Sequence, residues 1–202
     1  MEQFAFPYRG LLIDSGRYFI PVADMITILD EMEKLHLNVL HWHLTEDQGW
    51  RIEIRTYPLL TQIGSKRRHT NFNHIPHSGY YSRADIRRVV DYAHQKGIQV
   101  MPEIDLPGHS VAAIAAYPFL SCFDRKLQVA THWGVKHDVL CAGKDSTYAF
   151  YRTIFDEIAE LFPDKMIHLG GDEVPKTRWK LCPHCQQKIK QLGLRLSLIH
   201  IS

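Results

Sequence analysis

No apolar run in this 202-residue chain reaches the ~18–20 residues that a membrane-spanning helix needs. The first ten residues carry no signal-peptide core either. Charge of one sign is equally scarce: 24 Lys and Arg against 22 Asp and Glu leave a net charge of +2. That is too little to predict binding to nucleic acid or to an anionic membrane, and the basic run Lys66–His69 reads as a solvated loop. Cysteine, with four residues, is too sparse for a disulfide-built scaffold. Cys182-Pro-His-Cys185 has the spacing of half a zinc site, but such a site needs a second ligand pair. The two remaining cysteines, Cys122 and Cys141, stand isolated and 19 residues apart. No metal is therefore expected, and a Cys122–Cys141 disulfide is left open.

What remains is the material of an ordinary globular domain, 45% hydrophobic and 23% charged. A strand-then-helix rhythm occurs four times. Tyr8–Asp14, Leu37–Leu44, Ile98–Asp105 and Met166–Glu173 read as strands. Between them, Val22, Met25, Ile26, Leu29, Met32 and Leu35 mark one helix face. A second helix opens at a Ser82/Asp85 capping box, buries Ile86, Val89, Val90 and Ala93, and stops at Gly97. A third turns Tyr148, Tyr151, Ile154, Phe155, Ile158 and Leu161 inward and ends at Pro163. The connections Thr45–Tyr81 and Leu106–Asp145 are long enough to be functional loops.

Alternating strands and helices predict an α/β fold with a parallel sheet. The polar residues choose between a doubly wound sheet and a barrel. Arg9, His41, His43, Glu46, Asp47, Glu103, Asp105, His109, Asp172 and Glu173 fall in or just beyond all four strands, mostly at their C-terminal ends, with Arg9 the exception. A (β/α)8 barrel of TIM type gathers its site from successive strand ends in this way, whereas a doubly wound sheet uses one crevice. Four βα units in residues 1–195 predict the N-terminal half of such a barrel, truncated. Residues 196–202, "LSLIHIS", break the preceding polar helical pattern and read as a non-native, adapter-derived tail.

The segment "HLGGDEV" (His168–Val174) sets two glycines before two adjacent carboxylates. Neighbours on a strand point to opposite faces, so Asp172 and Glu173 can serve one ligand only if the backbone turns, and the glycines permit that. Adjacent acids suit the two opposed carboxylates of most glycosidases poorly. A division of labour suits them better, with Glu173 protonating a leaving oxygen and Asp172 orienting a neighbouring substrate group.

These residues, with "YRGLLIDSGRYFIP", "LNVLHWHLTEDQGWRIEI" and "MPEIDLPGHS" in the same order, closely resemble the signature of glycoside hydrolase family 20, the β-N-acetylhexosaminidases. The resemblance covers residues 7–190. It implies an eight-stranded barrel that removes terminal, non-reducing β-linked N-acetylglucosamine or N-acetylgalactosamine from oligosaccharides and glycoconjugates, with retention and without a cofactor. The substrate's own acetamido carbonyl would attack the anomeric carbon and give an oxazolinium intermediate. By the resemblance, Glu173 is the acid that becomes the base, held protonated by desolvation and by its anionic neighbour. Asp172 holds the acetamido N–H. His109 and Asp47 form a pair that supports the acid and shuttles a proton, Asp47 being chosen over Glu46. Arg9 clamps sugar hydroxyls, Asp105 orients the site, His168 sits beneath it and Trp50 lines its mouth. The family's aromatic walls, and a tyrosine on the acetamido group, come from strands beyond Glu173, so the chain by itself is expected to be inactive. Family members are usually exported or lysosomal.

Two rivals follow from the same residues. His41-x-His43 places two imidazoles on one strand face, as a metal-dependent barrel hydrolase would. Alternatively the chain is an inactive carbohydrate-binding relic.

Overall fold

The computed structural model describes residues 4–194; the reading of residues 196–202 as a tail lies outside them, as does the boundary at 195. In chain order the elements are β1 (Gly10–Asp14), α1 (Val22–Lys34), β2 (Val39–Glu46), β3 (Gly49–Trp50), α2 (Leu59–Gln62), β4 (Lys66–Arg67) and β5 (His77–Ser78). Then come α3 (Arg83–Gln95), β6 (Gln99–Ile104), α4 (Val111–Ala116), a 3-10 turn at Pro118–Leu120, α5 (Asp145–Ala159), α6 (Thr177–Leu181) and α7 (Pro183–Leu192). No helix among the described residues is long and apolar enough to cross a membrane.

The helices form where periodicity and capping place them. On α3 the Ser82 hydroxyl accepts the Asp85 N–H at 3.1 Å, and the Ser82 N–H donates to Asp85 Oδ2 at 3.0 Å. Two otherwise orphaned donors are thereby satisfied. Ile86, Val89, Val90 and Ala93 are its buried stripe, and the chain leaves it through Gly97 at φ 71°. On α1, Met25, Leu29 and Met32 are buried. On α5 and just after it Tyr151, Ile154, Ile158 and Leu161 are buried as expected, and the departure is at the start of the helix. Phe150 fills the core, while Tyr148 is exposed and donates to Ala142 O.

β2 is the central strand, parallel to β1 on one side and β6 on the other, with β3 turning back antiparallel at its end. Alternation divides its side chains. Leu40, Trp42 and Leu44 belong to the buried core together with residues of α1, α3 and α5, whereas His41 and His43 project from the opposite face with Leu12, Asp14 and Glu103. The pairing shifts by one residue between His43 and Thr45.

The expected fourth strand, Met166–Glu173, is reduced to one parallel bridge between His168 and Glu103. His168 N–H donates to Pro102 O at 2.9 Å, and the Ile104 and Leu106 N–H groups donate to His168 O and Leu169 O at 3.0 Å. Lys165 before it and Gly170 and Gly171 after it take positive φ (55°, 63° and 102°), which ends extended structure at both sides. The parallel segments thus lie side by side in chain order, as in an arc of a barrel. A doubly wound sheet would reverse that order at a switch point. The long connections are also more ordered than expected. The first carries β3, α2 and the β4–β5 ribbon, and the second carries α4 and the 3-10 turn. In the first, buried Arg51 donates to the carbonyls of Ser15, Gly16, Gln48, Ser65 and Gly79. Arg67, within the basic run, is buried rather than solvated.

Candidate active site

The polar face of the sheet and the loops at its C-terminal edge enclose a cleft of about 510 Å³, lined among others by Asp14, Arg17, His41, Glu103, His109 and Asp172. Each comes from a strand end or the turn after it. β1 delivers Asp14 and Arg17, β2 delivers His41, His43 and Glu46, β6 delivers Glu103 and Asp105, the next loop His109, and the His168 segment the acid pair.

His109 is the hub. It is buried, with φ 48°, and its two ring nitrogens face opposite sets of acids. Nδ1 lies 2.9 Å from Glu46 Oε1 and 3.6 Å from Asp47 Oδ2. Nε2 lies 3.5 Å from Glu173 Oε2 and 4.0 Å from Asp172 Oδ2. Burial alone would favour the neutral ring, but Asp47 and Glu46 outweigh it and raise the imidazole to about 11. His109 is therefore a cation at neutral pH, placed between the two sets of acids. The nearer acid is Glu46, not Asp47 as expected; Asp47 Oδ1 instead accepts the Val111 N–H at 3.0 Å, fixing the start of α4.

Glu46 also anchors Arg17, whose guanidinium lies 2.7 Å from Glu46 Oε1 and 2.7 Å from Asp14 Oδ2. Arg17 is the arginine of this site. Arg9 is not brought to it: its guanidinium is bonded to the carbonyls of Phe6, Pro7 and His36 and stacks on Phe4. The signal was available, because barrel sites collect at strand C-termini, where Arg17 stands and Arg9 does not. Trp50 is likewise not at the mouth. It is 1% exposed in the core, with Nε1 donating to Ile52 O at 2.7 Å.

Asp105 is 2% exposed and works on the loop rather than on a ligand. Its Oδ1 accepts the Gly171 N–H at 3.3 Å, and a Cβ at Gly170 would strike the same carboxylate. Burial first, then Asp172 and Glu103, push its carboxyl up to about 8 against the opposing pull of His109 and the Gly171 amide. Below that pH it is a neutral acid packed beneath the turn. Glu103 is shifted the other way. Burial would raise it, but the His41 hydrogen bond and the charges of His43 and His168 hold it below the usual carboxylate range. His168 lies under the site as expected, its ring 4.6 Å from that of His41. Its Nδ1 is 3.0 Å from the Gly170 nitrogen and 3.1 Å from Glu103 Oε1, between the loop and the sheet.

The adjacent acids meet at one imidazole because the backbone turns there. Gly170, Gly171 and Glu173 all take positive φ, the last 48°, so the backbone curls instead of alternating. Asp172 and Glu173 both reach the same nitrogen of His109, with ligand atoms of the three groups within 4.8 Å of one another. Their side chains remain 61% and 57% exposed, so the described residues do not supply the desolvation expected for Glu173.

His41, Glu103 and His168 are also close enough to suggest a metal set. The distances are those of a close ion pair instead. His41 Nε2 is 2.6 Å from Glu103 Oε2, whereas two ligands at about 2.0–2.2 Å on a tetrahedral ion stand roughly 3.4 Å apart. His43 Nε2 is engaged with Thr45 O at 2.8 Å.

A beta-hexosaminidase of Porphyromonas gingivalis is 48% identical over 194 residues, covering 96% of this chain and 25% of that protein. A crystal structure of a beta-N-acetylhexosaminidase superposes with a TM-score of 0.92 at 38% identity, over 95% of this chain and 41% of the other. The exo beta-N-acetylglucosaminidase of Vibrio harveyi, solved in complex with N-acetylglucosamine, gives 0.82 at 34% identity, over 94% and 31%. The chain thus spans between a quarter and two-fifths of these relatives. The model of the glycosyl hydrolase family 20 catalytic domain matches residues 6–198, and it is to this family that the chain belongs.

Proposed function

We propose that this chain carries the acid machinery of a β-N-acetylhexosaminidase. The enzyme would release terminal, non-reducing β-linked N-acetylglucosamine or N-acetylgalactosamine from oligosaccharides or glycoconjugates, with retention and through an oxazolinium intermediate. The observation that carries the reading is the placement of Asp172 and Glu173 on one nitrogen of a charged, anchored His109. Both acids then stand together at one imidazole, rather than as the opposed pair of a two-carboxylate glycosidase.

In this reading the acetamido carbonyl of the substrate attacks the anomeric carbon as the bond to the leaving oxygen breaks, and Glu173 gives that oxygen its proton. Asp172 accepts the acetamido N–H and balances the positive charge that develops on the ring formed. Glu173, now a carboxylate, takes a proton from the water that opens the intermediate. His109, fixed by Glu46 and Asp47, orients both acids. Arg17, held by Asp14 and Glu46, presents its fork to sugar hydroxyls in the role first given to Arg9. Asp105 and His168 shape the turn.

The exposure of both acids and of Leu12 on the polar sheet face supports a further part of the proposal. This chain is one arc of a barrel whose remaining strands cover the site, and residues 1–202 alone do not turn over substrate. The test compares the whole protein on aryl β-glycosides of N-acetylglucosamine, 2-deoxyglucose and glucose. Hydrolysis confined to the acetamido sugar is expected; comparable rates on all three would sink the mechanism. Turnover by residues 1–202 alone would sink the statement about inactivity.

A further inference from the structure

A second group of reactive side chains lies away from the acid cleft. Ser121 and Leu140 form an antiparallel bridge, and the Cys141 N–H donates to Leu120 O at 2.7 Å. This brings together Cys122 and Cys141, which the sequence leaves apart. Cys182 precedes α7 and Cys185 lies in its first turn, after Pro183. A Cys-x-x-Cys pair across a helix start turns both thiols to one side. All four cysteines are buried and none is in a disulfide.

The sulfur separations identify what the cluster is built for. Cys141 Sγ lies 3.6 Å from Cys185 Sγ and 3.7 Å from Cys182 Sγ, and Cys122 Sγ lies 3.9 Å from Cys185 Sγ. All four sulfurs are within 4.8 Å of one another. Disulfide sulfurs stand about 2.05 Å apart. Four sulfurs at about 2.3 Å on a tetrahedral zinc ion stand roughly 3.8 Å apart, which is the spacing here. The surroundings fit as well. Trp179 packs on the cluster, the Gly143 N–H is bonded to Cys141, and a Cβ at Gly143 would collide with the backbone of His184. The loop and the start of α7 are therefore pressed together around the sulfurs.

We propose that Cys122, Cys141, Cys182 and Cys185 bind one zinc ion as a closed tetrathiolate. With four protein ligands no position is left for water or substrate, so the ion is structural. Binding releases the thiol protons and makes the site's affinity rise with pH. Its place in the fold gives it a task. The segment carrying Asp172 and Glu173 is tied to β6 and the turn after it through His168, Leu169 and Gly171, and the cluster would anchor its far end. Arg178 Nε to Asp138 Oδ1 at 2.9 Å and Trp179 Nε1 to Leu140 O at 2.8 Å lie on the same seam.

The test uses residues 1–202 purified under reducing conditions without chelator. Elemental analysis is expected to find one zinc per chain, released by a mercurial reagent in step with four thiols. Cobalt exchanged into the protein should show the charge-transfer and ligand-field spectrum of a tetrahedral tetrathiolate. Cys122→Ser and Cys182→Ser should each retain less than a tenth of the wild-type zinc. Should either variant fail to fold, the metal content and cobalt spectrum of the unaltered chain still decide. An intact mass four hydrogens short, showing two disulfides, would overturn the proposal. So would four reactive thiols that take up no added zinc, or iron in place of zinc at the same stoichiometry.

Discussion

His109 Nε2 stands 3.5 Å from Glu173 Oε2 while its Nδ1 stands 2.9 Å from Glu46 Oε1. One imidazole thus links a buried carboxylate to an exposed one, and the exposed one is the group proposed to move the proton. Glu173→Gln in the whole protein keeps the shape and removes the proton. It is expected to lower turnover of substrates with poor leaving groups on the order of 10²–10⁴-fold, and that of activated aryl glycosides much less. Asp172→Asn should slow both kinds alike. Equal losses for Glu173→Gln on the two substrate classes would remove it from the acid role.

The charge on His109 makes a statement about pH. Its value in the fold, about 11, is raised from 6.5, so its contribution to stability is complete below about pH 6.5 and is lost as pH climbs toward 11. Denaturant unfolding of the wild type and of His109→Gln should therefore differ most near pH 6 and converge toward pH 10. A gap that widened over that range would mean the ring is neutral in the fold.

Arg17 and Arg9 separate a site residue from a surface one. A lost hydrogen bond to a charged group is worth about 1.5–3 kcal/mol, so Arg17→Ala should lower kcat/KM roughly 10–100-fold, mainly through KM. Arg9→Ala should leave kcat/KM within about twofold, since such surface changes stay within ~0.5 kcal/mol. Steady-state kinetics with the two swapped in effect would show that the clamp lies at the start of β1 after all.

The two glycines before the acids differ in what surrounds them. At Gly170 a Cβ meets the Asp105 carboxylate, whereas at Gly171 nothing is nearer than Leu106 O at 4.0 Å. Both positions have positive φ, which costs a side chain about 1–2 kcal/mol. Gly171→Ala should show only that cost in thermal unfolding and remain active in the whole protein. Gly170→Ala adds the collision and should abolish activity by displacing the acid pair.

Much of this was legible in sequence because it is periodic or local. The α1 and α3 stripes, the Ser82/Asp85 box and the alternation that sends His41 and His43 to one face are properties of short windows. The motifs pointed to Asp172, Glu173 and His109, and to the Glu46–Asp47 pair with Asp47 taken as the partner of His109, where Glu46 is the nearer. Most of what escaped depends on distant contacts. Trp50 looks like an aromatic at a site mouth until β3 folds it under β2. Arg9 and Arg17 flank the same strand, and this miss was avoidable, because the chain direction already puts Arg17 at the C-terminal end of β1. Cys122 and Cys141 are isolated along the chain because the Ser121–Leu140 bridge that joins them is a loop contact with no periodic trace. Tyr148 fits the inward face of α5 until the start of that helix is fixed.

Among the described residues the acid-bearing segment pairs with the sheet through one bridge, at His168, where β1, β2 and β6 share continuous ladders. Amide hydrogens there can be exposed by a local opening that leaves β1, β2 and β6 intact. Whatever settles on that turn, a sugar or further strands, must also still it, so tightness of capture and stillness of the turn are thermodynamically linked. A change that loosens the turn will weaken capture without touching the ligand.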